Sequence, residues 1–143
     1  MRFSYEIITP QHDAELSKLV EQHQVMLAYQ PEFISLTCHN NVLQQLFLID
    51  LLQQQSQTKL VPHIPIGNKT EALLKECLID YMERGIDTVL LIHGDSDSSS
   101  EMTVCKAIQY INNTFPNCWT IFVSYNYLAP EQSFVDKVTA GAD

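Results

Sequence analysis

Polar residues gather at the ends of the apolar runs in this chain. The first run, Phe3 to Pro10, carries Glu6 and then Thr9. "SLTCHNN" brings Thr37, Cys38, His39 and Asn40, and "VPHIPIGN" brings His63 and Asn68. "LIHGDSDSSS" adds His93, Gly94, Asp95 and Asp97, and "VSYNY" adds Ser124, Tyr125 and Asn126. Three of the five histidines stand in these stretches. Carboxylates and imidazoles are the side chains that move protons near neutral pH. The same set suits zinc-like ions, with His39, His63, His93 and Asp95 as candidate ligands. Glu6 is the sharpest case. Its neighbours alternate as in a half-buried strand, and a charge there is expensive unless it faces a cavity or a partner. Each residue also has a plainer use. Glu6 can pair with a buried partner, Asp97 and the serines can cap the next helix, Tyr125 can close the core, and Lys137 can be a surface lysine.

The elements that must position these residues are legible from composition. Five runs rich in branched and aromatic residues read as strands: Phe3–Ile8, Phe33–Thr37, Leu60–Ile64, Thr88–His93 and Trp119–Tyr125. Each is followed by helical spacing. Leu16, Leu19, Val20, His23, Met26 and Leu27 share one face of the first helix. Val42, Leu43, Leu46, Phe47 and Leu51 are expected inside the second. Leu73, Leu74, Cys77, Leu78, Tyr81 and Met82 mark the third, which ends at Gly85. The fourth runs from Glu101 to Asn113, and the fifth follows Pro130. Strands start at residues 3, 33, 60, 88 and 119, so one βα unit recurs every 27 to 31 residues.

Such alternation specifies an α/β fold with a parallel sheet, either doubly wound or a (β/α)8 barrel. Doubly wound strands read as continuous apolar runs, and only Thr88–His93 does so cleanly. No GxGxxG follows the first strand and no phosphate loop is present. A barrel of eight units takes about 250 residues, so five units take about 156. The 143 residues therefore read as a single domain, residues 1–143, forming a partial barrel of about five βα units. In either fold the site lies at the carboxyl ends of the strands.

Bulk properties exclude other classes. The net charge is −9, with 17 acidic against 8 Lys and Arg residues, which argues against nucleic acid and anionic membranes. No apolar run is long enough to span a bilayer, and no apolar leader precedes Phe3. The four cysteines lack zinc-site spacing, so reduced thiols in a cytoplasmic protein are expected.

Five segments together resemble a known family. "FSYE", "FISLTC", "VPHIPI", "GIDTVLLIHGD" and "KVTAGAD" follow, in order and spacing, the pattern of the methylenetetrahydrofolate reductases. The resemblance covers essentially the whole chain. It implies a (β/α)8 barrel in which FAD passes hydride from NAD(P)H to methylenetetrahydrofolate, in one-carbon metabolism. Carried over residue by residue, it implies Glu6 as proton donor, with a raised pKa, and Asp95 as a residue touching flavin and pterin. It implies Thr37, His63, Gly94, Tyr125 and Lys137 as cofactor-binding, with His93 where the family has an arginine. His39, Asn40 and Asn41 replace a glycine-rich turn. No metal is implied.

Three function classes follow: a flavin-dependent oxidoreductase of this type, a non-catalytic flavin- or pterin-binding relic or interaction module, and a metal-dependent barrel hydrolase. The hydrolase lacks the paired HxH of many such barrels. A five-unit piece of a barrel leaves open strand edges, so a homo-oligomer or a longer parent chain is also expected.

Overall fold

A computed structural model describes residues 3–38, 41–94, 102–125, 128 and 130–143. Five strands alternate with five α-helices. They are β1 (Tyr5–Ile7), α1 (Leu16–Leu27), β2 (Phe33–Leu36), α2 (Val42–Gln53), β3 (Lys59–Pro65), α3 (Glu71–Glu83), β4 (Thr88–Ile92), α4 (Val104–Thr114), β5 (Thr120–Val123) and α5 (Glu131–Thr139), with a 3-10 turn at Asp13–Glu15. All pairings are parallel, and each strand pairs with its neighbours in sequence. A doubly wound sheet reverses its strand order part-way. The sequential order here is that of a barrel, and the fold is α/β with parallel βα repeats, consistent with a partial barrel.

The chain divides into two compact units, Met1–Pro62 and His63–Asp143. The boundary falls inside β3. Its residues up to Pro62 pair with β2, and those from His63 pair with β4. Proline has no N–H for a ladder, so Pro62 donates no bond where the pairing changes hands.

In the first unit, alternation along the strands separates two faces. Ile7, Ile34, Leu36 and Leu60 are buried on one face. Glu6, Ser35 and Val61 form a register row on the other, where Glu6 is exposed. The second unit repeats the scheme. Ile64, Val89, Leu91 and Ile121 are at most 1 % exposed. His63, Leu90 and Phe122 make the alternate row. Burying each such aliphatic side chain contributes about 1.5–3 kcal/mol, so these rows fix which strand face goes under the helices.

Helix starts follow cap chemistry. Asn41 Oδ1 accepts from Gln44 N at 3.1 Å, Thr70 Oγ1 from Leu73 N at 3.3 Å, and Thr103 Oγ1 from Lys106 N at 3.2 Å. Gly85, at φ +71°, ends α3, and Ile86 N donates to Tyr81 O at 3.0 Å.

The inner faces of two helices differ from expectation. The α2 stripe is Gln45, Leu46, Leu48, Ile49 and Leu52, whereas Leu43 is 78 % and Phe47 49 % exposed. Helix α2 is apolar nearly all round, so its spacing admits more than one face. In α3, Leu74, Cys77, Leu78 and Tyr81 are buried, but Leu73 and Met82 are exposed.

On α1, His23 is buried and its Nδ1 lies 2.6 Å from Tyr5 Oη. Its Nε2 is buried without a hydrogen-bond partner among the described residues. Burial holds His23 below its ordinary value of 6.5 and pushes Tyr5 up to about 12. With the folded-state value depressed, the unfolded chain binds more protons below pH 6.5, so stability falls as pH drops through the folded value. Denaturant midpoints measured between pH 7.5 and 5 should decline on the acid side. Tyr5→Phe, which strands Nδ1 as well, should cost about 1–3 kcal/mol at neutral pH.

Candidate functional site

Thr37, one residue past β2, is the most tightly held site residue of the first unit. Its N–H donates to Ile7 O at 3.0 Å. Its Oγ1 accepts from Thr9 N at 3.0 Å, and its carbonyl accepts from Thr9 Oγ1. Gln45 Nε2 donates to Leu36 O at 2.8 Å and to Thr37 O at 3.3 Å. Thr9 is 4 % exposed and Gln45 is completely buried. The carboxyl ends of β1 and β2 are thus stitched together by two threonines and a glutamine. Beside them, Thr9, Pro10, Gln11, His12, Asn41 and Gln44 line a polar cavity of about 330 Å³. Glu6 stands on β1, on the strand face opposite to Tyr5 and its α1 partner.

In the second unit, pairing of β3 with β4 continues past the strand ends. Ile66 N donates to Ile92 O at 3.0 Å and Gly67 N to His93 O at 2.8 Å. His63 is buried at 6 % exposure, in the row of Leu90 and Phe122. His93 is exposed, with Nδ1 3.3 Å from Gly94 O. Gly94 has φ +86°, and a Cβ on it would lie 3.1 Å from Pro65 Cβ. Conformation and space therefore both demand glycine there. Beyond β5, Tyr125 is 59 % exposed and meets Phe134 edge-on at 5.3 Å between centroids. Lys137 reaches from α5 and donates Nζ to Ser124 O at 3.0 Å. An ammonium has three donors, so this bond holds Lys137 at the strand's carboxyl end and leaves capacity for an anionic oxygen.

The expected residues thus fall into two groups, Glu6 with Thr37 in the first unit, and His63, His93, Gly94, Tyr125 and Lys137 in the second. Asp95 lies outside the described residues, as do His39, Asn40 and Asp97. Among the described residues, no group of three His, Cys, Asp or Glu side chains is placed to hold a metal ion. Sequence reasoning noted Thr9 without giving it a role and missed Gln45. Leu48, Ile49 and Leu52, at three, four and seven residues on, put Gln45 on the buried stripe, which is the signal that could have found it.

The model of the methylenetetrahydrofolate reductase family matches residues 1–143, the whole chain. The chain belongs to the methylenetetrahydrofolate reductase family. No curated protein matches the sequence. Among solved structures, the fold is similar to a protein described as a mandelate racemase from Bordetella bronchiseptica RB50, at 9 % identity and TM-score 0.68. That likeness covers 99 % of this chain and 36 % of the other. A racemase from Streptomyces coelicolor A3(2) with bound magnesium gives 12 % identity and TM-score 0.69, over 99 % and 39 %. Muconate lactonizing enzyme gives 10 % identity and TM-score 0.59, over 86 % and 31 %. At these identities the likeness is one of fold. The chain spans 31–39 % of the length of these structures. Membership of the methylenetetrahydrofolate reductase family supports a reductase-type function.

The "GD" glycine of the methylenetetrahydrofolate reductase pattern has a local test. Gly85→Ala meets nothing within 4 Å and carries only left-handed strain, about 1–2 kcal/mol. Gly94→Ala adds the Pro65 contact and should cost roughly 1 kcal/mol more. Urea unfolding of both variants against the parent chain checks the order.

Proposed function

We propose that this chain forms part of a flavin-dependent oxidoreductase that uses FAD to pass hydride from NAD(P)H to 5,10-methylenetetrahydrofolate. The observation that carries this reading is the family match across every residue of the chain.

Each unit by itself offers groups that suit a flavin. In the first, Thr37 offers a hydroxyl; in the second, Lys137 retains ammonium donors for phosphate oxygens. Tyr125 presents an exposed ring, and Leu90 with Phe122 supplies a half-buried apolar row. His63 and His93 add imidazoles, and Gly94 keeps the backbone beside Pro65 free of a side chain. When bound, FAD supplies two-electron hydride chemistry. Glu6 would act as the proton donor, the proton going to the folate nitrogen whose bond to the transferred carbon breaks. Asp95 sits next to Gly94 in sequence and is assigned the flavin and pterin contact. His93 stands in place of a permanently charged, fork-shaped arginine and offers a single imidazole instead.

The partners under this reading are a folate-type substrate and NAD(P)H, with self-association or a longer parent chain completing the barrel. The four cysteines form no disulfide, in keeping with a cytoplasmic location. No described helix is long and apolar enough to cross a membrane.

One observation favours a second reading, a flavin- or pterin-binding module without catalysis: His93 stands where the family has a permanently charged arginine.

Glu6→Gln separates the two. Glutamine keeps the shape and cannot deliver a proton. Folate turnover should fall by about 100-fold or more, while the visible flavin band of the FAD-loaded protein stays unchanged. Full turnover in the variant would refute the role of Glu6. FAD binding without turnover in the parent chain would favour the module.

A further inference from the structure

The bonds around Thr37 carry an inference that rests on the flavin reading and goes beyond it. Thr37 spends its amide on Ile7 O and its carbonyl on Thr9 Oγ1 and Gln45 Nε2. Its hydroxyl oxygen takes the amide hydrogen of Thr9 at 3.0 Å. What remains is the hydroxyl proton, which has no acceptor among the described residues. A hydroxyl that already accepts a hydrogen bond is polarised into a better donor. The β-branched side chain is also stiff at χ1, so the bond from Thr9 holds it in one rotamer. Thr37 is half-buried, whereas Thr9 and Gln45 are buried.

We propose that Thr9 and Gln45 are positioning residues that set the Thr37 hydroxyl as a fixed hydrogen-bond donor, so that this strand end selects an acceptor atom on the ligand. For a flavin, that atom is a ring carbonyl or an unprotonated ring nitrogen. Neither Thr9 nor Gln45 needs to touch the ligand. Both act through Thr37, Thr9 through its hydroxyl and amide and Gln45 through the two carbonyls it bridges, those of Leu36 and Thr37.

The test uses the full chain with FAD, in Thr9→Val, Thr9→Ser, Gln45→Met and Thr37→Val. Thr9→Val keeps size and branching and removes the hydroxyl, and Gln45→Met keeps the buried volume. FAD affinity is read from quenching of flavin fluorescence, and the two-electron midpoint potential is read from the bound flavin. Thr9→Val and Gln45→Met should bind FAD about five- to tenfold more weakly. A fivefold change in the preference between oxidised and reduced flavin moves the potential by about 20 mV. Thr9→Ser should behave like the parent chain, and Thr37→Val should show the largest loss. If Thr9→Val does not fold, Gln45→Met gives the same reading. A role in stability alone would lower the melting temperature and leave the potential where it was, and that result overturns the inference. Parent-like affinity in both variants, with FAD bound by the parent chain, overturns it while the flavin reading stands. A parent chain that takes up no FAD overturns both.

Discussion

Each strand here must surrender one face to the helices that follow it, and the placement of every chemical group depends on that division. Ile7, Ile34, Leu36 and Leu60 in the first unit, and Ile64, Val89, Leu91 and Ile121 in the second, occupy the surrendered face. Because side chains alternate, Glu6, Ser35 and Val61, or His63, Leu90 and Phe122, are driven to the other. A one-residue slip of register would exchange the two sets. Glu6 would then enter the apolar layer that Tyr5 and His23 occupy, at a desolvation cost. Burial of ordinary aliphatic residues, rather than any polar contact, thus decides that a carboxylate in the first strand stays accessible.

The strand ends show a different economy. Thr37 uses nearly all its polar capacity on the protein, and Lys137 ties α5 to Ser124. Gly94 stands where a positive φ and the close approach of Pro65 disfavour a side chain. Within each unit these contacts restrain the strand ends, and restraint of that kind lowers the ordering cost of binding any ligand.

Much of this was legible from residue types. The strand runs and the 27- to 31-residue recurrence of the unit foresaw five parallel βα repeats, and the five motifs foresaw the family. Strand ends were less legible. Phe3–Ile8 contracts to Tyr5–Ile7, and Trp119–Tyr125 to Thr120–Val123, because pairing rather than composition decides where a strand stops. The inner face of α2 was misread since Leu43 and Phe47 are as apolar as the residues that do go inside. The mutual bonds of Thr9, Thr37 and Gln45 join residues 9, 37 and 45, and no local pattern announces contacts over such separations.

Under the proposed function, hydride enters this protein through a flavin. Anaerobic mixing of the FAD-loaded chain with NADH or NADPH, followed as loss of the oxidised flavin band, tests it most directly. Bleaching much faster than for free FAD under the same conditions, saturating with one of the two nucleotides, is the expected result. A flavin band that dithionite removes and neither nucleotide touches would contradict it.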